Sequence, residues 1–294
     1  MAGVAAGGIM KTKLVAVLVW FLSAHIVFGQ AAKSGFFQTS DSVKIHYVEA
    51  GNGPAIVFIP GWTMPGWIWQ PQIDEFSKRY HVIAVDPRSQ GESDKPPYGH
   101  LPEIRARDYK ELVDHLQLRN PVLVGWSMGC MELVKYAEQF GSDNVGGFVL
   151  VDGFITEKPN PDMFLGLSGW MNQLQQDRQK HADAFVRRMY KKPQPEEYIK
   201  RVIDASASVP ADTAVALIYN MIAVKDTTTG LAKMDRPVLF AYQPDTQQTA
   251  DFLKSKLGGK LRLERFDGDG HALFVDDPEK FNRVLGEFLQ SLPK

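Results

Sequence analysis

The chain has 294 residues, with 33 Lys+Arg against 34 Asp+Glu and a formal charge of −1. Hydrophobic residues at 44% and charged residues at 23% are ordinary globular usage, which excludes disorder and leaves no broad positive field for a nucleic acid. A single Cys excludes an internal disulfide framework and a thiolate zinc cluster.

At the amino end, Lys11 and Lys13 precede the apolar run Leu14–Phe28, which closes on Gly29-Gln-Ala-Ala32. A positive start, an apolar centre and small residues at the end read as a secretory signal peptide over residues 1–31. The run is short for a membrane span, so an uncleaved anchor is the lesser alternative. The expected protein is exported, to the periplasm or beyond, and Met10 is an alternative start. Residues 32–294 then form one domain, a size that buries a substantial core.

Val43–Glu49 alternates apolar and polar residues and predicts a half-exposed strand. Ala55–Pro60, Val82–Val85, Val122–Gly125 and Gly147–Val151 are short runs of Val, Ile and Leu bounded by Gly, Pro or Asp. Such runs suit strands buried on both faces of a parallel sheet. Helical patterns separate them at Glu103–Leu116 and Met128–Gln139, the second ending at Gly141. Strands at Val238–Tyr242 and Leu261–Phe266 flank a helix around Ala250–Leu257. The last helix carries Phe281, Val284, Leu285, Phe288, Leu289 and Leu292 as one apolar stripe. This alternation predicts an α/β fold with a doubly wound, mostly parallel sheet and its ligand at the carboxyl ends of the strands. From about 156 to 234 no strand is evident. That stretch, rich in Met and aromatic residues, reads as a helical cap inserted between two strands.

The segment Gly125-Trp126-Ser127-Met128-Gly129 fits G-x-S-x-G directly after a buried strand and before a helix. There the glycines allow a tight turn that presents the Ser127 hydroxyl as a nucleophile. A serine needs a base. His25 lies in the leader, His46 and His81 in or beside strands, His100 in a polar loop, His115 on an amphipathic helix and His181 in the cap. His271 remains, in a glycine-containing loop after the last strand. For the orienting acid, Asp245 after the strand Val238–Tyr242 is favoured. Asp152, after Gly147–Val151, is the alternative, since Asp152-Gly153 also reads as a plain turn. Asp267 and Asp269 sit too near the histidine in the chain to reach its ring. The amides of Met128 and Trp62 are the expected oxyanion donors, although Pro60-Gly61 could equally be a simple turn. Met64, Trp67 and Trp126 are expected, with Trp62 and Met128, to line an apolar pocket. Cys130 reads as a small buried hydrophobe.

Pro60-Gly61-Trp62, Asp86-Pro-Arg88-Ser-Gln-Gly91-Glu-Ser93, the Ser127 pentapeptide and Gly270-His271 together resemble the α/β-hydrolase fold family, in its esterase, lactonase and cofactor-free haloperoxidase-like branch. The resemblance runs from about Val43 to Leu292. It implies a triad of Ser127, Asp245 and His271, a small ester-like substrate, and no metal or organic cofactor. Two positions depart from the family. Pro60 stands where many members have a His that braces the oxyanion loop, and Ser89 stands at the first glycine of the Arg-Gly-x-Gly-x-Ser block. The expected activity is hydrolysis of a carboxylic ester or lactone through an acyl-enzyme. A ligand-binding receptor with slow turnover and an aminopeptidase using a cap carboxylate (Glu157, Glu196 or Glu197) are the alternatives.

Overall fold

The computed structural model describes residues 1–3, 32–157, 161–224 and 226–293, with backbone alone for 161–165. The apolar leader Leu14–Phe28, His25 and the side chains of Met163 and Phe164 lie outside the described residues.

Eight strands form one sheet: β1 (Lys33–Gln38), β2 (Lys44–Ala50), β3 (Ala55–Ile59), β4 (His81–Asp86), β5 (Val122–Trp126), β6 (Gly147–Val151), β7 (Val238–Tyr242) and β8 (Leu261–Arg265). Their order is β1-β2-β4-β3-β5-β6-β7-β8. The first two strands pair antiparallel, and β2 also runs antiparallel to β4. The six strands from β4 to β8 are parallel. The mostly parallel, doubly wound sheet is therefore as the sequence predicts, and the runs buried on both faces are its central strands. The addition is β1, whose largely exposed pattern has no buried run to announce it.

Alternation along each central strand divides the core. Ile56, Phe58, Val122, Val124, Val149 and Val151 face one side, while Val57, Ile59, Leu123, Phe148 and Leu150 face the other. On the first side lie α1 (Gln70–Phe76), α10 (Leu273–Asp276) and α11 (Pro278–Ser291), the last burying the five residues Phe281 to Leu289 of its stripe. On the second lie α2 (Pro102–His115), α3 (Met128–Phe140) and α9 (Gln247–Leu257).

Between β6 and β7 the described residues hold helices and no strand: α4 (Pro161–Gln176), α5 (Arg178–Arg188), α6 (Glu196–Ala207), α7 (Ala211–Ile222) and α8 (Thr228–Ala232). The strand order reverses at β3, with β4 on one side and β5 on the other. At such a switch point the loops leaving β3 and β5 diverge to opposite faces and open a crevice. That is where Pro60-Gly61-Trp62 and Ser127 stand.

Candidate functional site

Ser127 occupies the turn between β5 and α3 with φ 56° and ψ −115°, a conformation that a residue with a side chain avoids unless its surroundings impose it. The surroundings do. The Ser127 N–H donates to Val151 O at 2.8 Å and its carbonyl accepts from Cys130 N at 3.0 Å. A Cβ on Gly125 would stand 2.5 Å from Gly129 O, so the turn closes only with glycine there. The half-buried hydroxyl is left facing the crevice.

His271 follows β8, as predicted, and its Nε2 lies 2.9 Å from Ser127 Oγ. Its Nδ1 lies 2.7 Å from Oδ2 of Asp152. This is a correction to the expected acid. Asp245 sits on the surface in a short 3-10 turn, Pro244–Thr246, after β7, whereas Asp152 is fully buried after β6. Asp245 helps form a turn whose neighbours serve the other carboxylate: Gln243 N (3.1 Å) and Thr246 Oγ1 (2.6 Å) both donate to Asp152 Oδ1. One carboxylate oxygen is thus held by the β7 turn and the other is free for the imidazole. Asp152 itself has φ 45°, so this residue is no ordinary strand-ending turn.

Further groups hold the imidazole loop. Trp126 Nε1 donates to His271 O at 2.9 Å, with the two rings 5.2 Å apart. Asp276 Oδ2 accepts from Gly270 N at 2.7 Å and from Lys191 N at 2.8 Å, and Ala272 N donates to Met189 O at 2.9 Å. Asp276 had no signal in the sequence beyond lying five residues after the histidine. Of the flanking acids, Asp267 pairs with Arg265 and Asp269 with Lys192.

Met128 opens α3, so its N–H has no intrahelical acceptor. Across the crevice, a Cβ on Gly61 would stand 3.0 Å from Ser127 Cβ, which puts the Pro60-Gly61-Trp62 backbone in contact distance of the serine. The loop is braced although the histidine common at position 60 is missing. Gln90 Nε2 donates to Gly61 O (3.1 Å) and Met64 O (2.6 Å). Gln90 Oε1 accepts from Arg105 Nη2 at 3.0 Å, and Arg105 Nε donates to Glu132 of α3. Ser89, the other departure, has φ 71°. It adopts a left-handed conformation that a glycine would take without strain.

The expected pocket is corrected as well. Met64 and Trp126 are buried in the core on the α1 side of the sheet. Trp67 packs on α6, with the Arg201 guanidinium 3.8 Å above its ring and Tyr198 at 6.2 Å. The apolar residues around the crevice are instead Trp62 and Met128, clustered with cap residues Trp170, Leu174, Phe185 and Leu217. Trp62 Nε1 donates to Ala214 O of α7 at 2.8 Å, joining the Pro60-Gly61-Trp62 loop to the cap. Cys130 is buried with its thiol donating to Gly125 O at 3.0 Å. Burial pushes that thiol well above its ordinary pKa, so no thiolate competes with Ser127. Glu157, Glu196 and Glu197 are exposed, and Glu196 is paired with Arg187.

Comparison with known proteins agrees with the fold. Residues 56–284 match the Alpha/beta hydrolase family. The chain is 26% identical over 270 residues to an AB hydrolase superfamily protein of Bacillus subtilis (strain 168), covering 87% of this chain and 99% of that one. It is 28% identical over 268 residues to a non-heme chloroperoxidase of Kitasatospora aureofaciens, covering 85% and 98%. Among solved structures it is similar to an esterase from Exiguobacterium antarcticum, with a TM-score of 0.80, 25% identity and coverage of 87% and 99%.

Proposed function

From a chain that belongs to the alpha/beta hydrolase family, and is a hydrolase on that ground, we propose the finer reading of a serine carboxylic ester hydrolase acting through an acyl-enzyme. The observation that carries it is the unbroken hydrogen-bond line from Ser127 Oγ through His271 to Asp152.

His271 Nε2 takes the Ser127 proton as Oγ attacks the carbonyl carbon of an ester or lactone. The oxygen of the tetrahedral intermediate is held by the N–H groups of Met128 and Trp62, which cost no reorganisation because α3 and the Gln90-braced loop fix them beforehand. The imidazolium then gives its proton to the departing alkoxide. Water, deprotonated by the same nitrogen, attacks the acyl carbon and frees the acid and Ser127. Asp152 fixes the tautomer with the proton on Nδ1 and stabilises the imidazolium. Burial of Asp152 and its two donors from the β7 turn keep it in that role throughout the cycle.

The test is turnover of a 4-nitrophenyl acyl ester with labelling by a fluorophosphonate. The wild type should hydrolyse the ester and take up one equivalent of label at Ser127. Ser127→Ala should lose on the order of 10⁴-fold or more in turnover, and all labelling, with an unchanged melting temperature. Ligand binding and labelling without appreciable turnover would favour a receptor instead.

A further inference from the structure

Three of the buried side-chain nitrogens that lack a hydrogen-bond partner among the described residues share one face of α5: Nη1 of Arg178 and both ring nitrogens of His181. Residues three apart are neighbours on a helix, and Phe185, four further on, extends the same face. That face is turned to the crevice. The Arg178 guanidinium lies 5.6 Å over the Trp62 ring. His181 stands edge-on to Trp170 at 4.4 Å and to Trp62 at 6.1 Å, and Phe185 meets Trp62 at 4.9 Å. Trp62 is the residue after Gly61, whose backbone touches Ser127. These nitrogens are therefore one indole away from the nucleophile, closed off from solvent beneath the rings of Trp62 and Trp170, so that a ligand reaches them by displacing a ring.

Neither residue is explained by packing alone. Arg178 ties the end of α6, its Nε donating to Val209 O at 3.2 Å and its Nη2 to Ser206 O and to Ser206 Oγ at 3.2 Å. Those acceptors are all neutral. No carboxylate among the described residues lies within ion-pair distance of it, and Nη1 remains unused. His181 is 7% exposed and surrounded by aromatic rings, a position that a phenylalanine would fill with nothing left unsatisfied. Burial lowers the pKa of Arg178 to about 10. Burial, then the Arg178 and Arg188 charges, lower His181 to about 4. Unpaired donors beside an unpaired cation are what a site for an anion looks like before the anion arrives.

Resting on the ester-hydrolase reading above, we propose that this buried cluster is a substrate subsite that accepts a carboxylate at the far end of the acyl group once a covering ring moves aside, with Arg178 Nη1 and a His181 ring N–H each donating to one carboxylate oxygen. The preferred substrates are then monoesters of dicarboxylic acids. Two donors on one helix face match two coplanar oxygens, and the walls of Trp62, Trp170 and Phe185 suit the methylene chain between carboxylate and ester. The bound carboxylate supplies the countercharge that Arg178 lacks.

The test compares kcat/KM for mono-4-nitrophenyl adipate with that for 4-nitrophenyl hexanoate, two esters of the same chain length. The wild type should favour the adipate ester by about tenfold to a hundredfold, the effect of hydrogen bonds to a charged group. Arg178→Met and His181→Phe should each bring the ratio toward one, while Lys200→Ala, which removes an exposed cation of the neighbouring helix, should leave it unchanged. A wild-type ratio of one or less, or a ratio that survives both substitutions, overturns the proposal. If Arg178→Met fails to fold, His181→Phe alone decides. If neither ester is hydrolysed, the ester-hydrolase reading fails by itself. Adipate against hexanoate, compared for their shift of the Ser127→Ala melting temperature, then still judges the cluster, and equal shifts reject it.

Discussion

Arg105, buried beneath the Pro60-Gly61-Trp62 loop, and Arg178, half-buried above it, are treated oppositely. Arg105 is 1% exposed and donates to Glu132, to Arg88 O at 2.9 Å and to Gln90 Oε1 at 3.0 Å. Beside it, Arg88 makes a two-pronged bond to Asp108 and a second pair of bonds to Asp41. Tyr109 donates to the remaining oxygen of Glu132. Arg178 in the cap has carbonyl and hydroxyl acceptors and no countercharge among the described residues. Complete neutralisation below the crevice suits a frame that must not move. A cap cation left without one suits a surface completed by what binds there.

The largest effect should come from the corrected acid. Asp152→Asn keeps the size of the side chain but removes the charge behind the imidazole, and kcat should fall on the order of 10⁴-fold. Asp245→Asn, on the surface, should stay within about twofold of wild type. Steady-state kinetics on the two variants checks both, and a collapse on changing Asp245 alone would reverse the assignment.

Next comes the contrast between the arginines. Arg105→Met strands the Glu132 carboxylate in the core and should cost about 3–5 kcal/mol, read from the urea midpoint and slope. Arg178→Met strands no charge and should cost about 1 kcal/mol. Comparable losses would mean that Arg178 has a structural counterion after all. A smaller change is expected from Gln90→Glu, which retains the bond from Arg105 but loses the two donated to Gly61 O and Met64 O. Turnover should drop about tenfold with KM within about twofold, because the amide that meets the oxyanion loses its support while ground-state contacts persist.

A separate effect concerns acid. The folded protein holds His181 at about 4, against 6.5 for an ordinary histidine. As pH falls, the unfolded chain takes the proton first. The stability contributed by the neutral form is complete above about 6.5 and is lost on acidification toward 4. The melting temperature should therefore decline less between pH 7 and pH 4.5 in His181→Phe than in wild type, and an equal decline would show that the imidazole is already open to solvent.

Much of this architecture was legible in the residues because it depends on local pattern. Runs such as Ala55–Ile59 and Gly147–Val151 are apolar at every position since helices cover both sheet faces, and Gly125 to Gly129 can close a turn only one way. The choice between Asp152 and Asp245 was not legible. Both follow a parallel strand, the strands are neighbours, and both lie between Ser127 and His271 in the chain. Gln243 N and Thr246 Oγ1 decide it from more than ninety residues away, and no spacing rule encodes that. The pocket lining is hidden in the sequence for a related reason. Met64, Trp67 and Trp126 are close to the elbow or its facing loop along the chain, but the side of the sheet on which each one packs is a tertiary matter. For His181, position in the cap said nothing until Trp62 and Trp170 were seen around it.

The bonds from Ala272 N to Met189 O and from Lys191 N to Asp276 Oδ2 fasten the His271 loop to the link between α5 and α6. That seam is shared by the helices between β6 and β7 and the loop that carries His271. On the other side of the crevice α7 is tied to Trp62 through Ala214 O, so the helices between β6 and β7 are fastened to both loops that border Ser127.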